Sequence, residues 1–258
     1  MINYEKAKQA FNDYVKNYDI ENEKVKLKIV HTYNVVEISI GIAKDLKLSN
    51  EDIELAKVIA LLHDIGRFEQ AKKYNSFDDY ETIDHADYGT EILFKDGLIR
   101  NFIEIDIYDD IVKKSIKNHN KFAIEEELSE KELLHAKLIR DADKTDIFRV
   151  KTTEKIKNVI HSNAKKDIKN ETISDKIYND FMNKKSIINE ERKTIIDEWI
   201  STIAFIFDYN FNYGLKYIIE NNYINILIDR IDYQDKYTKE KMEKVREFAI
   251  KYINDRCF

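Results

Sequence analysis

Apolar positions recur three and four residues apart along most of the chain, the period of a helix buried on one face. A first helix is predicted over residues 4–17. A long second one is predicted over 23–47, where Leu27, His31, Val35 and Ile38 share one face. Ser49 and Asn50 read as the N-terminal cap of a third helix, with Glu51 and Asp52 in its first turn, where acids suit the helix dipole. That helix continues through Ala56, Ile59, Ala60 and His63, and Gly66 is placed to end it. Residues 70–84 are polar and aromatic without a period and read as a loop. Helices follow over 85–94, 104–118 and 133–145, with Val112, Ser115 and His119 on one side of the second and a mostly acidic connector over 121–130. Residues 150–174 are largely polar, and the last third shows three further helices, over 187–207, 211–221 and 237–255. The chain therefore reads as all-α, with nine or ten helices. A weak composition shift divides it into a helical core, 1–150, and a C-terminal helical extension, 151–258, expected to pack on that core as one unit.

Composition supports this reading and removes other classes. The 258 residues include no proline and only five glycines, which disfavours short hairpins and tight turns and favours long helices joined by polar loops. The net charge is −6, the wrong sign for attracting a phosphate backbone, so no nucleic-acid partner is expected. The longest uncharged stretch, 199–207, is far below the roughly 20 apolar residues of a membrane span. The N-terminus lacks the basic-then-apolar pattern of a signal peptide, and the single cysteine, Cys257, has no partner for an internal disulfide. A cytoplasmic protein without a membrane partner is expected.

Candidate chemistry lies in the first half of the chain. His31, His63-Asp64, His85, His119 and Asp143 follow one another at gaps of 22 to 34 residues, each about one helix and a loop. Such spacing lets several helices of a bundle aim side chains at one point. With 25 aspartates in the chain, a single His-Asp step is near the chance level, so the ordered set carries the argument. Imidazole and carboxylate together are ligands for divalent metals, and the two oxygens of Asp64 suit it to bridge two ions. Adjacent His63 and Asp64 can both reach inward at a helix end.

This set resembles the HD-domain superfamily. His63-Asp64-Ile65-Gly66-Arg67 is similar to the family's HD-I-G-K/R segment, His85-Ala86-Asp87-Tyr88-Gly89 to the His-(x)₃-Gly that often follows it, and Asp141-Ala142-Asp143-Lys144-Thr145-Asp146 to its final A-D-K/R-x-D segment. The match spans about residues 25–150. It implies an HD-domain helical bundle with additional C-terminal helices. Carried onto this chain, one metal takes His31, His63, Asp64 and Asp143, and a second takes His85 and His119 with Asp64 as the bridge. Asn120 and the absence of any Gly-Tyr-Pro motif argue against the cyclic-dinucleotide phosphodiesterase subgroup.

The implied function is a metal-dependent phosphohydrolase with one or two divalent ions (Mn, Fe, Mg, Ni, Co or Zn). It would cleave a phosphate ester of a nucleotide or other small phosphorylated metabolite by metal-activated water. Asp64, Arg67 and Lys144 are the expected catalytic residues. Arg67 is the first candidate to grip a phosphate oxygen, with Lys144 and Lys121 as second choices. Lys72, Lys73, Tyr74 and Phe77 are expected on the pocket rim. Two alternatives use the same residues: a di-iron oxygenase of the HD superfamily, and a module that binds a nucleotide without turning it over. His135 reads as structural and His161 as solvent-exposed. Asp146 reads either as support for a metal-ligating imidazole or as a surface ion pair. The aromatic run Trp199, Phe205, Phe207, Tyr209 and Phe211 reads as core or as the interface of a homodimer.

Overall fold

The structure is a computed structural model that describes residues 2–160 and 167–258; His161 lies outside the described residues. It is all-α, with no strand among the described residues. The chain divides into two compact units, Met1–Asp146 and Ile147–Phe258.

The first unit contains α1 (Tyr4–Val15), α2 (Glu23–Asp45), α3 (Asn50–Leu62), α4 (Ile65–Tyr74), α5 (His85–Thr90), α6 (Asp109–Asn118) and most of α7 (Glu130–Thr153). Polar side chains start these helices by accepting hydrogen bonds from otherwise unpaired amides: Asn3 from Lys6, Asn22 from Lys24, Ser49 from Asp52, and Asp84 from Ala86 and Asp87. The long helix α2 packs mainly on α3 and also on α4, while α5 sits between α4 and α6. The buried face of α2 runs through His31, Val35, Ile38 and Ile42, so the first candidate ligand belongs to the same stripe that builds the core.

Two boundaries differ from those read in the sequence. The third helix ends at Leu62, and a new one, α4, begins at Ile65 and runs to Tyr74, inside the segment expected to be a loop. Asp64 makes the break: its φ of −102° and ψ of 17° lie in the sparsely populated bridge region. Only residues 70–74 of α4 fall in the expected loop; Ile65, Phe68 and Ala71 bury a helical face that carries the helix into it. At the other end, α7 runs well past residue 145, because Phe148 and Lys151 continue its buried side.

The second unit contains the C-terminal end of α7, α8 (Ile156–Val159), α9 (Asp175–Met182), α10 (Ile195–Ala204), α11 (Asn212–Glu220), α12 (Tyr223–Asp229) and α13 (Lys236–Cys257). Only α10 of the long helix expected over 187–207 is regular, and α9 and α12 escaped the sequence reading because each is one or two turns long. Thr194 and Asp197 start α10 with a reciprocal capping box. Trp199 is buried in this unit's core, with Nε1 donating to the Leu227 carbonyl at 2.9 Å. Tyr209 is buried with it, and Phe205 and Phe207 pack against the same cluster. No helix among the described residues is long and apolar enough to cross a membrane.

Candidate metal centre

Five helices and the break before α4 deliver the candidate ligands. His31 comes from the buried face of α2, and Asp143 from α7. His63 is the C-cap of α3, and His119 is the C-cap of α6. Asp64 occupies the break before α4, and His85 opens α5. The approach of α4 to α5 requires Gly66. A Cβ there would lie 2.2 Å from the His85 carbonyl oxygen and 2.9 Å from the Gly89 nitrogen. Gly66 was expected to end a helix; instead it lies inside α4 and lets two backbones touch.

All six predicted ligands meet. Asp64 lies between two histidine pairs and faces each with a different oxygen. Oδ2 is 3.5 Å from Nε2 of both His31 and His63. Oδ1 is 3.2 Å from Nε2 of His85 and 3.8 Å from Nε2 of His119. Asp143 Oδ1 completes the first half, 3.0 Å from His31 Nε2 and 3.7 Å from His63 Nε2. All four imidazoles and Asp64 are buried.

A model of the HD domain family matches residues 29–147. That segment is an HD domain. Neither the search of curated proteins nor that of solved structures returned a match. HD domain proteins bind divalent ions and are in general metal-dependent hydrolases, with some non-catalytic members.

The HD ligands fit such ions. Each imidazole spends Nδ1 on an outward hydrogen bond and turns Nε2 inward. His31 donates to Asp146 at 2.7 Å and His85 to Asp79 at 2.6 Å. His63 donates to the Ala60 carbonyl at 2.7 Å and His119 to the Ile116 carbonyl at 2.6 Å, each three residues back on its own helix. Each half of the site therefore has one imidazole backed by a carboxylate and one backed by a helix-end carbonyl, the arrangement that fixes a ligating tautomer. Nε2 atoms are 3.4 Å apart in the His31–His63 pair and 3.0 Å apart in the His85–His119 pair. Two nitrogens each about 2.1 Å from one ion, at tetrahedral to right angles, would be roughly 3.0–3.4 Å apart. His31, His63 and Asp64 form one group able to hold a metal, and Asp64, His85 and His119 form another.

Electrostatics make the same division. Burial and Lys28 oppose a charge on His31, but the Asp143 and Asp146 carboxylates outweigh them and push it up to about 9. Burial, with His85 and His63 alongside, holds His119 down at about 3. Burial would raise the Asp64 carboxyl, yet Lys28, His63 and His85 keep it well below the ordinary range. His31 and His63 outweigh burial in the same way at Asp143. Without a metal, a proton on His31 supplies the positive charge that the carboxylates demand, so metal and proton compete there.

The remaining predicted residues are held by other groups, although Arg67 Nε stays 3.6 Å from Asp64 Oδ1. Arg67 was expected to face a phosphate, but its Nη1 donates to Asp79 Oδ1, Gln70 Oε1 and the Phe77 carbonyl, each at 2.7 Å. Lys121 is paired with Asp84 at 2.7 Å and Asp87 at 2.8 Å. Lys144 is buried on α7 beside Asp143, and burial together with Arg140 pushes it down to about 7. Of the expected rim residues, Phe77 lies under the Lys28 ammonium at 5.3 Å and the Arg67 guanidinium at 5.6 Å. Lys73 lies over the Tyr88 ring at 4.7 Å, while Lys72 is an exposed side chain over Tyr18. His135 bonds Asp52 through Nε2 at 3.2 Å, outside the ligand set.

Sequence reasoning missed Lys28 and Asp79. Lys28 Nζ is 2.6 Å from Asp64 Oδ2. The available signal was its position three residues before His31, which places it on the same side of α2. Nothing in the polar loop distinguished Asp79 from Asp78 or Asp84; its partners come from tertiary contacts.

Proposed function

We propose that this HD domain hydrolyses a phosphate ester of a nucleotide or other small phosphorylated metabolite at a dinuclear metal site. One observation supports this reading most: Asp64 offers Oδ2 to the His31–His63 pair and Oδ1 to the His85–His119 pair. A carboxylate placed in this way would bridge two ions, and such a pair would supply the clamp on the attacking and leaving oxygens that phosphoryl transfer uses.

His31, His63, Asp64 and Asp143 would hold one ion, and Asp64, His85 and His119 the other. Bound divalent ions would bring the pKa of water toward neutrality and stabilise charge on the phosphate. The protein's own residues have separate tasks. The four outward hydrogen bonds occupy Nδ1 of each imidazole and aim every Nε2 inward, where a metal would replace the proton that His31 otherwise carries. Lys28, whose side chain is 14% exposed beside Asp64, is the cation best placed to meet a substrate phosphate oxygen. Arg67 acts through Asp79 and the Phe77 carbonyl, as a residue that positions the loop. Lys144, near neutrality and next to Asp143, can take up or release a proton at pH 7.

The test is phosphate release from a panel of nucleotides and sugar phosphates with added manganese, beside the Asp64→Ala variant. Release by the wild type that vanishes in the variant supports the reading. Release that survives Asp64→Ala, or none from folded wild type on any substrate, refutes it. Iron content and dioxygen consumption then test the oxygenase alternative.

A further inference from the structure

The two halves of the metal centre are built alike but supported differently. In the first half, the carboxylate behind His31 is Asp146. Its side chain is 1% exposed and stands on the long helix α7. In the second half, the carboxylate behind His85 is Asp79. Its side chain is 25% exposed, and it sits on the irregular segment between Asn75 and Asp84.

That segment is tied down chiefly through α4. Asp79 Oδ1 accepts from Arg67 Nη1 at 2.7 Å and from Gln70 Nε2 at 3.0 Å. Gln70 Nε2 also donates to Thr82 Oγ1 at 2.8 Å and to the Ile83 carbonyl at 3.0 Å, and Arg67 reaches the Phe77 carbonyl. The free oxygen, Asp79 Oδ2, accepts from His85 Nδ1 at 2.6 Å and from Asn120 Nδ2 at 3.3 Å. One carboxylate thus joins the loop, α4 and the second metal-facing imidazole.

We propose that Asp79 is the positioning residue of the second half-site, so that loop 75–84 sets the affinity of the second ion while the first half stays independent of it. This rests on the dinuclear reading above. Supporting carboxylates of this kind typically change metal affinity about 10–100-fold when removed, by loosening the ring and lowering its basicity. A helix-borne support is fixed by packing on both sides. A loop-borne one is only as firm as its few anchors. The second ion should therefore bind more weakly than the first in the wild type.

The experiment is manganese binding by equilibrium dialysis on the full chain, with the electron paramagnetic resonance spectrum recorded at each loading. Wild type, Asp79→Ala, Asp79→Asn and Asp146→Asn are compared. The expected wild type binds two ions, the second more weakly, and shows an exchange-coupled spectrum at full loading. Asp79→Ala should keep the first ion at unchanged affinity and weaken the second 10–100-fold, leaving an uncoupled six-line spectrum. Asp79→Asn is isosteric and keeps an acceptor for His85, so it should recover part of the loss and provide a folded variant if alanine does not. Asp146→Asn should weaken the first ion instead. If the wild type binds two ions and the folded Asp79→Asn and Asp79→Ala proteins do so with wild-type affinities, or lose both ions together, the inference is overturned and the dinuclear reading stands. If the wild type binds fewer than two ions, the dinuclear reading falls and the inference with it.

Discussion

Gly66→Ala separates two effects of opposite sign. Gly66 lies within a helix, so alanine alone should stabilise the protein by up to about 1 kcal/mol through backbone entropy and helix propensity. The tertiary contact opposes this. The new Cβ would sit 2.2 Å from the His85 carbonyl oxygen and 2.9 Å from the Gly89 nitrogen, both backbone atoms that no rotamer change can move. A carbon–oxygen contact relaxes at about 3.3 Å, so α4 and α5 must part by roughly 1 Å. Overpacking of this kind costs about 1–3 kcal/mol, which outweighs the propensity gain.

The same separation carries His85 away from Asp64, whose facing atoms are 3.2 Å apart in the native site. A displacement near 1 Å at a catalytic centre costs about 10²-fold in rate. Urea unfolding in EDTA reads the stability change free of metal, and manganese content reads the second half-site. The expected variant is less stable by about 1–2 kcal/mol and poorer in its second ion. A Gly66→Ala protein as stable as the wild type or more so, with full metal content, would refute the argument.

Manganese at about 100 times the dissociation constant of the tighter site should stabilise the wild type by at least about 2.7 kcal/mol, the contribution of that one site. Thermal melts should show no such gain in Asp64→Ala, and an equal gain there would remove Asp64 from the ligand set. Lys28→Met should lower kcat/KM for the phosphate ester about 10–100-fold, the worth of one charge-assisted hydrogen bond, with both ions still bound; unchanged kinetics would contradict the role given to Lys28. His119 is held at about 3, below its ordinary value near 6.5. The unfolded chain therefore takes up a proton there that the folded one refuses, and metal-free stability should decline as pH falls from 7 to 5. Unfolding in EDTA at both values should show a shallower decline for His119→Gln, and an equal or steeper one counts against the neutral buried imidazole. In the second unit, Asp197 accepts from the amides of Ser174, Lys193 and Thr194 and from the Ser174 hydroxyl. Asp197→Ala should cost about 2 kcal/mol in urea unfolding, because several donors lose one acceptor together.

The sequence by itself determined the fold class and the set of residues that cluster in the first unit. Helical periodicity does not depend on distant contacts, so α1, α2 and α13 are legible in the spacing of apolar residues alone. The candidate ligands were legible as an ordered set because their spacing matches helix-and-loop units; His31, His63, Asp64, His85, His119 and Asp143 all converge. Only the tertiary structure decided which groups support and which contact the ligands. The boundary between α3 and α4 escaped because Gly66 looks like a helix end and Gln70 like the start of a loop until the loop it anchors is seen folded against it. Arg67 and Lys28 are both isolated cations in sequence. Folding gives Arg67 a carboxylate and a carbonyl to hold, and places Lys28 against Asp64. Gly66 read as a helix end because a glycine's conformational freedom is a local property. Its actual role, the close passage of α4 over α5, arises only between segments that meet through space.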